Sequence, residues 1–422
     1  MKVLIISHNA ISPVSSIGKT LASLFHTFKK EELCQLYIHK ALPQGDVCSS
    51  YYSFTDKDVL KGIFTRKVAG KTVRPTESIN SGNNGTFNSI TYGNANKREP
   101  YMELLREAVW KLSPWYNKSL KKWVSEQKPT CIFAAIGSGT FLYDIALKIS
   151  KDFNIPIITY VCDDFYNMEK PDKFLGGLWK RNINKKTKEL LRASKAVVGI
   201  CDNISKSYSD EFEIDGFTIM TGTNFSVKSS VSVNDSVERI RYFGKISLNR
   251  YVSLLEICKC LDEINEKSGT HYKVDIFCDD PGEEVKNAFG CVKSADFHGF
   301  VTGEEFKKEF FCSDALIFVE AFDEESIDRV KNSISTKIAD SLSSGIPIFA
   351  YGPANISAIK HLVDNECAAV CSEKSRLNDT LMRFLSDKSF RTDISQKAIK
   401  TAKKFHDPVS VSDTLYNICS RY

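Results

Sequence analysis

The chain has 422 residues, 42% of them hydrophobic and 26% charged, a profile that excludes a disordered or fibrous protein. At roughly 100–200 residues per domain the length predicts two or three domains, and no run approaches the ~18 uninterrupted apolar residues of a membrane span. Residues 1–230 carry 32 Lys+Arg against 22 Asp+Glu, +10, and residues 231–422 carry 25 against 30, −5, so the N-terminal half is either attracted to something anionic, a membrane surface or a phosphorylated acceptor, or merely basic.

The apolar run after Met1-Lys2 is too short for the ~7–15 apolar residues of a secretory signal. It reads as a first buried strand, and the chain is expected to be cytoplasmic. Strand-length, β-branched runs at 3–7, 36–39, 130–136, 156–162 and 196–200 alternate with amphipathic stretches at 18–29, 101–126, 141–153 and 178–192. Such a βαβ series predicts a parallel sheet covered on both faces. The pattern restarts with strands expected at 240–243, 273–277, 295–298, 315–319, 346–351 and 368–370, and helices at 251–267, 304–311, 335–343, 356–364 and 376–386. The fold class is therefore α/β, two Rossmann-like, doubly wound parallel-sheet domains facing across a cleft. Their expected bounds are 1–222, a polar linker at 223–236, 237–405, and a closing segment at 406–422. In such sheets ligands sit at the carboxyl ends of the strands.

Three features stand outside this series. Residues 66–100 are rich in Asn and Gly and poor in aliphatics, predicting a long surface loop that faces substrate or nothing. Trp110, Trp115, Tyr116 and Trp123 interleave with Lys111, Lys118, Lys121 and Lys122. That marks either a membrane-interface surface or helices packing their indoles inward, with Pro114 interrupting the run. The 13 cysteines include no Cys-x-x-Cys pair, so reduced, packed thiols are expected rather than disulfides or a structural zinc.

Three stretches carry the chemistry. Pro13-Val14-Ser15-Ser16-Ile17-Gly18-Lys19-Thr20 ends like a P-loop, but proline stands at its first position where glycine is required. What remains is a small-residue turn, Ser15, Ser16 and Gly18, at a helix N-terminus, where backbone N–H groups favour an anion. In the second, a strand ends at Gly244 and a helix begins near Tyr251. Lys245 and Arg250, five apart on the connecting loop, can flank a diphosphate or stand as ordinary basic residues. The third is the buried strand ending at Glu320, the polar loop 321–333 and the helix opening at Ser335-Thr336-Lys337. Its junction offers N–H groups and hydroxyls to an anion, with Lys331, Ser333 and Lys337 alongside and Asp340 one turn on, positioned for sugar hydroxyls. The alternative is an ordinary βα unit capped by Ser335.

On these residues the stretch 240–420 resembles the donor domain of GT-B glycosyltransferases, most closely glycosyltransferase family 4. Ser335-Thr336-Lys337-Ile338-Ala339-Asp340-Ser341-Leu342-Ser343-Ser344-Gly345-Ile346-Pro347-Ile348 is similar to the family's acidic helix, Gly-x-Pro turn and apolar strand. Asp340 stands at the second of the family's two glutamate positions and Asn332 at the first. Gly244, Lys245 and Arg250 match its diphosphate-binding basic pair, and Phe297-His298-Gly299-Phe300-Val301 its nucleobase-side turn. In the N-terminal half, Cys162-Asp163 occupies the place of a His-Asp pair near the reacting sugar, and the closing segment 408–422 looks like the family's last helix, which the resemblance implies returns to the N-terminal domain.

The resemblance implies transfer of a sugar from a nucleotide-diphosphate sugar to an acceptor hydroxyl, with retention and with no obligatory metal or other cofactor. It implies catalytic roles for Asp163, Lys245 and Arg250. Donor contacts would come from Ser16, Gly18, Gly244, Phe300, Glu320, Lys331, Ser333, Thr336, Lys337 and Asp340. The expected partners are the donor and a glycan or lipid-diphosphate-linked acceptor in bacterial surface-polysaccharide assembly, with peripheral contact at the inner membrane face and no nucleic acid. A non-catalytic nucleotide-sugar or glycan-binding protein on the same fold is the alternative.

Overall fold

The structure is a computed structural model that describes residues 1–12, 16–65, 70–75, 100–168 and 174–422. Pro13, Val14 and Ser15 of the P-loop-like stretch lie outside the described residues, as do 66–69 and 76–99 of the expected long loop.

Contacts divide the chain into two compact units, one of Met1–Met220 with Pro408–Tyr422 and one of Thr221–Asp407. The first is built on β1 (Val3–Ser7), β2 (Leu33–Ile38), β3 (Ser50–Phe54), β4 (Lys71–Val73), β5 (Cys131–Ile136), β6 (Ile157–Val161), β7 (Ser194–Gly199) and β8 (Asp215–Thr218). Their order in the sheet is β4-β3-β2-β1-β5-β6-β7-β8, parallel except for the β3–β4 pair. β1, β5 and β6 are buried at every position, which is why they read as unbroken apolar runs: helices cover both faces. Each fully buried Leu or Ile adds on the order of 1.5–3 kcal/mol.

The second sheet holds β9 (Ile240–Phe243), β10 (Val274–Phe277), β11 (Ala295–His298), β12 (Ala315–Val319), β13 (Ile348–Tyr351) and β14 (Ala369–Cys371). Its order is β11-β10-β9-β12-β13-β14 and every pair is parallel. In each sheet the chain lays strands outward from a central one and then returns to its other side. The reversal falls between β1 and β5 in the first unit and between β9 and β12 in the second, and crevices that receive ligands open at such points.

Several elements differ from expectation. The run expected at 101–126 is two helices, Pro100–Leu112 and Lys118–Gln127, with Pro114 between them because proline cannot continue a helix. Trp110 and Trp123 are buried; Trp110 stacks on Phe141 at 4.4 Å and donates to Asp56, and Trp123 donates to Ser50. These two indoles pack inward. The expected polar loop 321–333 contains the helix Glu324–Val330, opened by Asp323 accepting from Ser326 N–H. The stretch 223–236 is bonded into the second unit through Thr223, Lys228 and Asn234. The last helix, Pro408–Arg421, buries Val411, Leu415, Ile418 and Cys419 in the first unit's core beside Phe25 and Phe28. All thirteen cysteines are unpaired. Among the described residues no helix is long and apolar enough to cross a membrane.

Candidate active site

The reversal point of the second sheet gathers a group of charges. β9 ends at Gly244, whose φ of +136° and N–H bond to the Phe277 carbonyl turn the chain out of the sheet. A Cβ at this position would lie 1.9 Å from Lys337 Nζ, so the lysine end would have to move aside, and the positive φ strains any residue other than glycine. Leu248 and Asn249, both left-handed, complete the turn into the helix Arg250–Ser268.

Arg250 is engaged within the fold. Its guanidinium is bound two-pronged to Glu320 at the end of β12, Nε to Oε2 at 2.8 Å and Nη2 to Oε1 at 3.0 Å. Burial opposes the guanidinium charge, but Glu320 outweighs it and Arg250's pKa is raised. Glu320 is buried, and its backbone carbonyl accepts from Ser253. Each neutralises the other, and Nη1 of Arg250 carries no hydrogen bond among the described residues.

Lys337 differs. It sits in the first turn of the helix Thr336–Ser344, half-buried, with Nζ 5.2 Å from the centre of the Tyr242 ring. Among the described residues its ammonium has no hydrogen bond or ion pair. Burial first, then the Arg250 and Lys245 charges, lower its pKa to about 8, with Glu320 opposing. Lys245 is exposed on the adjoining turn. Lys245, Arg250 and Lys337 thus share one carboxylate, an excess of positive charge that suits a diphosphate. Ser335 adopts the cap position without capping, and Ile338 N–H bonds its carbonyl, which leaves the N–H groups of Thr336 and Lys337 toward an anion.

Other expected residues are occupied. Lys331 pairs with Asp328 at 2.7 Å, and Ser333 N–H closes a turn on Val330. Asp340 is buried and accepts from Thr223 Oγ1 at 3.0 Å, Asn224 N at 2.8 Å and Asn224 Nδ2. These bonds tie 223–224 to the helix.

Beyond β10 and β11 lies a cavity of about 410 Å³. Parallel register places Phe243, Phe277 and His298 side by side, and their rings stack at 4.7 Å and 4.7 Å. Phe300, 58% exposed, stands at the rim. Asp275 accepts from His298 Nε2 at 3.1 Å and Arg241 Nε at 3.2 Å, and Arg241 also pairs with Glu309. These charges were not singled out in the sequence; the signal was Arg and Asp alternating with apolar residues on neighbouring strands.

In the first unit, Asp163 is exposed after β6, with the Cys162 thiol 3.9 Å away. Burial, then the Asp163 charge, drives the thiol's pKa well up, keeping it protonated. Asp164 instead accepts from Tyr208 Oη at 2.6 Å and Asn167 N at 3.1 Å, closing a turn. Ser16 opens the helix Ser16–Leu24, and Gly18 is buried in it. At the β1–β5 reversal, Arg106 donates to His8 Nε2 at 3.0 Å and to Asp56 at 3.0 Å, and lies over Phe141. Burial and Arg106 lower the His8 pKa to about 4, leaving a neutral ring that accepts from Arg106. Among the described residues no group of three or more His, Cys, Asp or Glu could hold a metal ion.

Neither a family model nor a curated protein matches the sequence. Solved structures do. Anabaena HepE in complex with UDP and glucose is 11% identical with a TM-score of 0.62, covering 100% of both chains. Sucrose-phosphate synthase from Thermosynechococcus elongatus is 9% identical with a TM-score of 0.60, covering 100% of this chain and 99% of its own. An alpha,alpha-trehalose-phosphate synthase (UDP-forming) from Burkholderia vietnamiensis is 9% identical with a TM-score of 0.61, covering 100% of both. Identities this low speak to architecture alone, and the architecture is that of the GT-B glycosyltransferases.

Proposed function

We propose that the protein is a glycosyltransferase that moves a sugar from a nucleotide-diphosphate sugar to an acceptor hydroxyl. The observation that carries this reading is the unpaired ammonium of Lys337 against Gly244 at the β9–β12 reversal. The bond that breaks joins the anomeric carbon to a diphosphate oxygen, and negative charge accumulates on the departing diphosphate. Lys337, Lys245 and the helix N–H groups at Thr336 stabilise that charge in place, without reorganisation. Arg250, held by Glu320, positions the loop and adds its field at second hand. Phe300 and the His298 ring flank the base. Ser16 and Gly18, in the first turn of their helix, remain donor contacts in this reading, and Asp163 orients the acceptor. UDP in the HepE complex supports a nucleotide donor. The finer reading is retaining transfer, independent of metal, onto a glycan or lipid-diphosphate acceptor in surface-polysaccharide assembly, with the basic N-terminal unit near a membrane.

The test is titration of nucleoside diphosphates against the wild type and Lys337→Ala, without metal. Saturable binding that weakens in the variant supports the reading, and equal affinity in both removes Lys337 from it. A binding protein without turnover is the second reading, favoured by the engagement of Asp340 with Thr223 and Asn224. Release of free nucleoside diphosphate from a nucleotide sugar in the presence of acceptor excludes it.

A further inference from the structure

The cavity at the ends of β10 and β11 has one charged group left uncommitted. Asp275 is shared between His298 and Arg241, and Glu309 is tied to Arg241. Glu305, in the first turn of the helix Gly303–Phe311, lines the same cavity, is exposed, and has no hydrogen bond or ion pair among the described residues. The backbone N–H and C=O groups of Phe300 and Val301 are likewise unbonded among the described residues.

β9 and β11 are separated only by β10. Strands ~4.8 Å apart put the Lys245 turn and the Phe300 turn roughly 10 Å from each other, a span that a nucleoside bridges from diphosphate to base. Aromatic walls accept the face of any base, so selection falls to the edge. Uracil shows one N–H between two carbonyl oxygens, and a carboxylate is repelled by both. Adenine and cytosine show a single amine beside an accepting ring nitrogen. Guanine alone shows two adjacent donors, N1–H and the 2-amine, which fit the two oxygens of one carboxylate, while its O6 accepts from a backbone N–H.

We propose that the nucleotide bound here is a guanosine diphosphate derivative, with Glu305 reading the N1–H and 2-amine of the base. The proposal rests on the nucleotide-sugar reading above. A two-pronged edge contact of this kind discriminates by roughly 10–100-fold. Calorimetric titration of GDP, UDP, ADP, CDP and inosine diphosphate into the full chain and into Glu305→Gln tests it. GDP is expected to bind at least about tenfold more tightly than UDP, and inosine diphosphate, lacking the 2-amine, more weakly than GDP. In Glu305→Gln, with its circular dichroism unchanged, the GDP advantage disappears while UDP affinity is retained. UDP binding as tightly as GDP, or a GDP preference that survives the substitution, overturns the guanine assignment and leaves the glycosyltransferase reading standing. Binding of no diphosphate overturns both.

Discussion

An ammonium that no carboxylate answers is costly to hold half-buried, and Lys337 holds one against Gly244 and Tyr242. A diphosphate favours its charged form, so its pKa rises on binding from about 8. Affinity is therefore full below pH 8 and falls as pH climbs through and beyond it, by up to about tenfold per unit. Titrations between pH 6.5 and 9.5 should show this fall in the wild type and none in Lys337→Arg. If Lys245 contacts the leaving group, Lys245→Ala should lower kcat by about 10²–10³ with the melting temperature unchanged. Gly244→Ala sets a methyl against the lysine and strains the positive φ, and should weaken diphosphate binding. Asp340 gives the opposite pattern. Asp340→Ala strips the partner from Asn224 N–H and Thr223 Oγ1, and should cost about 1–3 kcal/mol of stability with KM for the donor retained. Its residue type and spacing were legible in the sequence, but Thr223, which folds onto it from 117 positions away, was not. The His8, Asp56 and Arg106 cluster escaped for the same reason, each member coming from a different element.

Elements were legible where burial came with an unbroken apolar run. β1, β5, β6 and β12 announce themselves because parallel sheets covered on both faces demand uninterrupted apolar side chains. β4 and β8, Lys-Thr-Val and Asp-Gly-Phe-Thr, lie at the sheet margins, where polar residues face water at little cost, while β3, Ser-Tyr-Tyr-Ser-Phe, is buried but carries two serines that break the apolar run; none of the three was foreseen. The helix Glu324–Val330 was hidden by its acidic first turn, although Asp323 at its cap was a signal. β12 and the helix Arg250–Ser268 are joined by the Glu320–Arg250 pair, and removing one partner strands a buried charge. Arg250→Ala should lose about 3–5 kcal/mol, read as an early chemical-denaturation midpoint, and the double variant with Glu320→Gln should recover part of it. Between the helices Ser357–Asp364 and Lys388–Phe405, His361 donates from Nε2 to His406, whose Nδ1–H binds the Thr221 carbonyl. Burial lowers these pKa values to about 3 and about 4. The unfolded chain binds protons below about pH 6.5 that the folded pair refuses, so stability present at pH 7 drains away as pH falls toward 4, by up to about 1.4 kcal/mol per unit for each histidine. Melting temperatures at pH 7.5 and 5 should differ in that direction, with a shallower slope in His361→Leu.

At the scale of the whole molecule, the doubly wound alternation could be read from the order of apolar runs; the point where each sheet reverses and which residue closes which charge could not. The first unit draws on both ends of the chain, Met1–Met220 and Pro408–Tyr422. Deleting 408–422 uncovers the core around Phe25 and Phe28 and should lower the first unit's transition in calorimetry while nucleotide binding by the second unit persists. The same arrangement has a consequence during synthesis. At about 5–20 residues per second, the ribosome needs roughly 10–40 s to travel from Met220 to Tyr422, and throughout that interval the groove for the helix Pro408–Arg421 stays open. The second unit, continuous in sequence, is complete before the first can close. The nascent chain therefore carries an exposed apolar seam until 408–422 has been made, and a chaperone or a neighbouring nascent chain has that long to find it.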